Sequence, residues 1–383
     1  MPVSGTNTVS SFVRAAFAAT FSPFEFLTGQ ATEANPNPFG LTTAYASNDS
    51  LPAMSLTEAA DRIRLGSRLQ DRWQRTKFLA RAGLHTHATR TLLQRLTTPF
   101  VDPLWTARPR LGSKLQRPYV HARWSVEDRL SALAAHYDYL PSILSPAQAI
   151  AVYREGVTLL GLKGAAQNRS FLVRLAYSNQ FEKVGEMTVS VVDVETRTSL
   201  ANLTFTILDQ SGVRTLCIGG IQAGTEPWTR ALVQTAAKEL YGLRPKALAL
   251  WCVRHLAKLW AIERITAVSD SMQVPRRSNE RAGAQIRHDS FWEESGGSEQ
   301  ADGTWELPRE VTRRSMDDMS PAQVKAYESR YALLDDLAPH FLTAVLDLNR
   351  DAPHETRFVA IAEAKPAVSP LSLSPDHFTK HPF

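Results

Sequence analysis

Cysteine is scarce in this sequence: Cys217 and Cys252 are the two thiols among 383 residues. One falls in a predicted strand and the other in a predicted helix, without a CxxC motif or metal-ligand spacing, which excludes a disulfide-stapled scaffold and a zinc ribbon. Two buried free thiols in a reducing compartment are preferred over a single disulfide. Long apolar runs are missing too, since none approaches the roughly 18 residues of a membrane span. The apolar FVRAAFAATF follows an uncharged Ser/Thr stretch rather than a basic n-region and leads to no small-residue cleavage site. A cytoplasmic protein is expected, with a secretion or targeting address as the other reading of the first fifty residues. The charge excess is small, 43 Lys and Arg against 38 Asp and Glu for a formal +5. So mild and dispersed an excess predicts no specific nucleic acid, whereas an anionic ligand or an anionic membrane surface is compatible with it. No fixed-period repeat is present, which excludes solenoids and propellers.

What is present is a globular composition, 43% apolar and 21% charged, with length for about two or three domain-sized units. Residues 1–54 are rich in Ser, Thr, Asn, Ala and Pro, with no acid before Glu25, and read as a flexible, low-complexity arm. Order begins at SLTE, where Ser55 and Glu58 have capping-box spacing ahead of the basic amphipathic AADRIRLGSRLQDRWQRTKFLARAGL. Further helices are expected over ATRTLLQRLTTPF, over LQRPYVHARWSVEDRLSALAAHYDYL, and over SPAQAIAVYREGVTLL, the last opened by Ser145 and Pro146. Residues 55–165 thus form a helical region.

The hydrophobic period then changes from helical to alternating. FLVRLAYS, GEMTVSVVDVE, TSLANLTFTILD and VRTLCIGGIQ predict four strands joined by short turns, an antiparallel meander. WTRALVQTAAKELYG and PKALALWCVRHLAKLWAIE predict consecutive helices, with Gly242 as C-cap and Pro245 at a helix start. RITAVSD predicts a strand of the same sheet, and a long helix covers about residues 320–348. The fold class is α+β: a helical N-terminal half, then an antiparallel or mixed sheet with helices over 166–350, then a tail at 351–383.

Seven segments, LQRPYVHARWSVEDRLSALAAHYDYL, GEMTVSVV, LCIGGIQAG, AKELYGLRPKALAL, AVSDSMQV, HDSFWEESGG and WELPRE, resemble the VirK/YbjX family of bacterial proteins in the expected order. The resemblance covers roughly residues 60–345. It implies a bacterial origin and an association with virulence and antimicrobial-peptide resistance, and it carries no catalytic residue.

The succession VRTLCIGGIQ, GLRPK, ALALWCVRHLAKLWAIE and RITAVSD also looks like the core of GNAT-type acyltransferases, whose cofactor pyrophosphate sits on a helix N-terminus. The physical basis is the unpaired N–H groups and positive dipole end found there. Leu243, Arg244 and Lys246 are the expected cofactor-binding residues, with acyl-CoA as the cofactor. Two features depart from that pattern: the Q/RxxGxG/A loop is absent and an extra helix precedes the cofactor helix. Gly219, Gly220 and Gly224 lack P-loop or dinucleotide-motif spacing, so CIGGIQAG is expected to be a structural corner.

Acyl transfer needs a base for the acceptor and an acid for the leaving thiolate. Glu186, Tyr241 and His288 are the candidates, each with a structural alternative: a strand-start carboxylate, a core ring, a loop histidine. Phe291, Trp292 and Glu293 would make an aromatic wall with an acidic rim for a small molecule or cationic peptide, the alternative being a buried aromatic anchor beside solvated carboxylates. No metal is expected, because His121, Glu127 and His136 form no ligand pattern; His136, at a helix end, is expected to act on the helix dipole. The rival to an acyltransferase acting on an amine or peptide is a non-catalytic interaction protein with the same fold.

Overall fold

Capping chemistry sets several helix starts as the sequence predicts. In the computed structural model the Ser55 hydroxyl accepts from the Glu58 amide at 3.2 Å and the Glu58 carboxylate accepts from the Ser55 amide at 2.8 Å, opening α1 (Leu56–Arg62). Then follow α2 (Arg68–Leu84), α3 (Thr86–Leu96), α4 (Asp102–Ala107), a 3-10 helix (Pro109–Gln116), α5 (Val126–Ile143) and α6 (Pro146–Arg154). The structure describes residues 41, 54–63, 68–166, 169–224, 226–274, 288–311, 313–317, 319–350 and 358–359. The arm at 1–54 and the tail at 351–383 lie outside the described residues, apart from positions 41, 54, 358 and 359. The described residues belong to one unit, Leu41–Phe383.

Two helix expectations are corrected here. The stretch from Leu115 to Leu140 is not one helix: Val120 takes φ 55°, and α5 begins at Val126, where Ser125 and Asp128 form their own capping box. The VTLL end of the helix predicted over SPAQAIAVYREGVTLL is strand. Gly156 stands at φ 79°, a conformation open to glycine at little cost, and a Cβ there would meet Ala176 Cβ at 2.7 Å. The chain leaves α6 at that glycine and enters β1 (Val157–Lys163).

The predicted meander is β2 (Ser170–Ala176), β3 (Met187–Asp193), β4 (Ser199–Gln210) and β5 (Val213–Gln222), antiparallel throughout. After α7 (Thr229–Glu239) and α8 (Pro245–Leu259), β6 (Arg264–Val268) pairs parallel to β5. The short α9 (Asp289–Glu294), β7 (Ser298–Glu299) and β8 (Thr304–Leu307) follow, then α10 (Pro321–Asp347) and β9 (Phe358–Val359). The sheet order is β7-β8-β6-β5-β4-β3-β2-β1-β9, an α+β arrangement with a mixed sheet.

Side-chain alternation along β4 shows which helices cover which face. The Phe205 ring stands 6.3 Å from that of Trp260, at the end of α8. The next residue, Thr206, points the other way and its hydroxyl is 2.9 Å from the Tyr119 hydroxyl. The N-terminal helical layer therefore covers one face and α8 with α10 the other.

Candidate functional site

Gly219 marks where the β5–β6 pairing stops. The β4–β5 register slips between Thr204/Gly220 and Phe205/Ile218, leaving Gly219 as a bulge. A Cβ on it would sit 1.9 Å from the Val184 carbonyl oxygen, so backbone approach, not positive φ, demands glycine here. The parallel β5–β6 ladder ends at Ile218↔Ala267, next to that bulge. Beyond it β5 continues with β4 alone.

The helix α8 points its N-terminus toward that end of the sheet. The Glu263 amide donates to the Arg214 carbonyl at 2.9 Å, which places the C-terminal end of α8 at the start of β5. The N-terminal end of α8 then lies where β5 and β6 finish. Arg244 is its N-cap, Pro245 its first residue, and no side chain caps its first amides.

Along α8 and α9 runs a cleft of about 450 Å³, with Arg244, Ala247, Leu250 and Arg254 on one side and Phe291, Glu294 and Pro308 on the other. The spacing of three, three and four residues puts the α8 members on one helix face. Arg254 donates from Nε to the Pro308 carbonyl at 2.9 Å and from Nη2 to the Ser295 carbonyl at 2.8 Å. No carboxylate pairs with it among the described residues, and burial pulls its guanidinium down to about 10. Arg244 Nη2 meets Glu294 Oε2 at 2.7 Å. Lys246 Nζ lies 4.2 Å from the Phe291 ring centroid, and burial, reinforced by the Arg244 charge, lowers its pKa to about 8.

The expected site residues separate into distinct neighbourhoods. Arg244 and Phe291 line the cleft, Lys246 lies over the Phe291 ring, and Leu243 is buried. Trp292 is fully buried and its indole donates to the Val268 carbonyl at 3.3 Å, an anchor of α9 onto β6. Glu293 is exposed and Glu294 supplies the acid of the cleft. Tyr241 stands at φ 53° in the α7–α8 turn, where its carbonyl accepts from Arg330 Nε of α10 at 3.3 Å. His288 caps α9 by backbone, and its amide donates to Asp270 at 2.8 Å. Tyr241, His288 and Glu186 stand in three different surroundings among the described residues.

Glu186 lies on the opposite sheet face from the cleft, inside the N-terminal helical layer. Its Oε1 accepts from Lys114 Nζ at 2.6 Å and the Tyr119 hydroxyl at 2.7 Å, and its Oε2 from the Tyr137 hydroxyl at 2.8 Å. Lys114 and Glu186 are both buried. Burial and the Glu186 charge hold the hydroxyls of Tyr119, Tyr137, Tyr153 and Tyr177 well above the usual phenol range, so they stay protonated and Tyr119 and Tyr137 donate to the carboxylate. His136 belongs to this core and does not serve a helix end. Its Nδ1 accepts from the Ile207 amide at 3.3 Å and its Nε2 faces the Tyr153 hydroxyl at 3.3 Å, while burial pushes it down to about 3. A neutral imidazole thus satisfies a β4 amide beyond the last β3 pairing at Met187↔Phe205. No group of His, Cys, Asp and Glu suited to a metal occurs among the described residues.

Comparison with known proteins places the chain. The family described as "Protein of unknown function (DUF535)" matches residues 67–342. The chain belongs to this family. It is 29% identical over 307 residues to the Escherichia coli "Uncharacterized protein YbjX", covering 78% of this chain and 92% of that protein. Two Haemophilus influenzae proteins, each called "Uncharacterized protein", are 29% identical over 123 residues, or 32% of this chain. They are covered to 42% and 41% of their own lengths. No solved structure matches. Within this DUF535 chain the sequence reading missed Arg254, although its position ten residues after Arg244 on a predicted helix was the available signal.

Proposed function

We propose that the chain is a GNAT-type acyltransferase that takes an acyl-CoA donor at the N-terminus of α8 and acylates an amine. The supporting observation is the uncapped N-terminus of α8, with Arg244 as N-cap, at the cleft along α8 and α9; the parallel β5–β6 pairing ends at Ile218↔Ala267 at the same end of the sheet. The residues fit such a donor. Uncapped amides and the dipole favour an anion at the helix start, Arg244 and Lys246 add charge, and Leu250, Phe291 and Pro308 offer apolar wall. The donor supplies the activated acyl carbon. Arg254 is a further cation for anionic groups lying along the cleft, and Lys246, with its pKa near 8, exchanges a proton more readily at neutral pH than an ordinary lysine.

Calorimetric titration with acetyl-CoA tests this reading. Arg244→Ala with Lys246→Ala should weaken binding by about 1–3 kcal/mol through lost charge-assisted bonds. Lack of binding to the unaltered chain at millimolar ligand, or equal binding by the double variant, removes the transferase reading. The second reading, a non-catalytic interaction protein, is favoured by the dispersal of Glu186, Tyr241 and His288 over three neighbourhoods.

A further inference from the structure

Helix α2 has two apolar faces, and one of them is bare. Phe78 and Ala82 are buried at 3% and 0% exposure and form its core side. On the opposite side Leu69, Trp73 and Leu84 are exposed at 79%, 44% and 64%. With the exposed Ala80 they follow spacings of four, seven and four residues, a single stripe about 22 Å long at 1.5 Å per residue.

The charge around this stripe has one sign. Exposed Arg72 flanks it on one side. Lys77 borders it on the other side, with Nζ 4.6 Å from the Trp73 ring centroid. The one acid of α2, Asp71, shares the core face with Phe78 and Ala82 by spacing. Residues 68–96 hold seven basic side chains and one acid, whereas the whole chain nets +5. The positive excess that looked dispersed is therefore concentrated in α2 and α3, and the rest of the chain is close to neutral.

We infer that α2 docks the protein on an anionic lipid bilayer, with Leu69, Trp73 and Leu84 entering the headgroup boundary and Arg72 and Lys77 meeting lipid phosphates. Apolar side chains along the centre of the stripe and cations at its edges match the layered polarity of a membrane surface. A nucleic acid would favour cations along the centre, where this helix places leucine and tryptophan. The helix lies on the surface, because no helix among the described residues is long and apolar enough to cross a membrane.

Co-sedimentation of the full chain with vesicles tests the inference. Binding is expected to vesicles of phosphatidylcholine mixed with phosphatidylglycerol, to fall as salt is raised, and to be absent with phosphatidylcholine alone. Leu69→Ser with Trp73→Ser should weaken it by at least about tenfold, and Arg72→Glu with Lys77→Glu by a similar factor. All four side chains lie away from the core, so thermal melts of both variants should match the parent and separate lost binding from lost folding. Failure of the parent to bind the mixed vesicles, equal binding to the neutral ones, or unchanged binding by either double variant would overturn the inference. So would a dimer that the Leu69/Trp73 variant dissociates, without vesicle binding by the parent.

Discussion

Lys114→Met isolates what holds the helical layer on the sheet. Lys114 Nζ lies 2.6 Å from Glu186 Oε1, with the two side chains 3% and 0% exposed. The substitution keeps most of the aliphatic volume and leaves Glu186 as a buried anion held by two tyrosine hydroxyls without a counter-cation. Removing one member of a buried pair costs about 3–5 kcal/mol, mainly the desolvation of the charge left behind. An unfolding entropy near 2.1 cal/mol/K per residue gives about 0.6 kcal/mol/K for roughly 300 residues, so the melting midpoint should fall by about 5–8 °C. Adding Glu186→Gln removes the stranded charge and should recover part of the loss, because the amide oxygen still accepts from Tyr119 or Tyr137. Urea unfolding followed by tryptophan fluorescence, with thermal circular dichroism, measures both steps. A loss below about 1 kcal/mol for Lys114→Met, or a double variant as unstable as the sum of the singles, would refute the account of a buried, coupled pair.

Gly219→Ala should destabilise by more than about 2 kcal/mol, since the added methyl meets the Val184 backbone oxygen and neither strand can yield cheaply. Gly220→Ala should cost much less, because its Cβ meets the side-chain Nε2 of Gln222 at 3.2 Å; equal urea midpoints for the two variants would contradict this. Lys246, lowered to about 8 by burial, should reach half-maximal acetic-anhydride labelling near that pH, by peptide mass spectrometry, while ordinary lysines do so near about 10.4. The neighbouring Glu294 charge opposes the shift, so Glu294→Gln should move the Lys246 titration lower still, and an upward move would count against the assigned cause.

The local elements were largely legible in the sequence. The Ser55/Glu58 box and Ser145 with Pro146 act through neighbouring residues, and the period-two run from Phe171 is set by the pleat; Gly242, expected as a C-cap, stands two residues past the C-cap Leu240. Local signals also failed locally: SPAQAIAVYREGVTLL reads as one helix until Gly156 is known to take φ 79°. Family membership was likewise carried by ordered sequence motifs. What only the tertiary structure decided is which distant residues meet. Lys114 and Glu186 are 72 positions apart and form a buried pair, so a candidate base became a carboxylate held by three donors. Arg244 and Glu294 meet across 50 positions, and Arg254 turns from one helical arginine among many into the wall of a cleft. Trp292 and Glu293 leave the expected aromatic wall because one turns into the core and the other to solvent. A strand or helix follows from the energetics of a few adjacent residues, whereas burial, pairing and pKa depend on what the rest of the chain packs against each side chain.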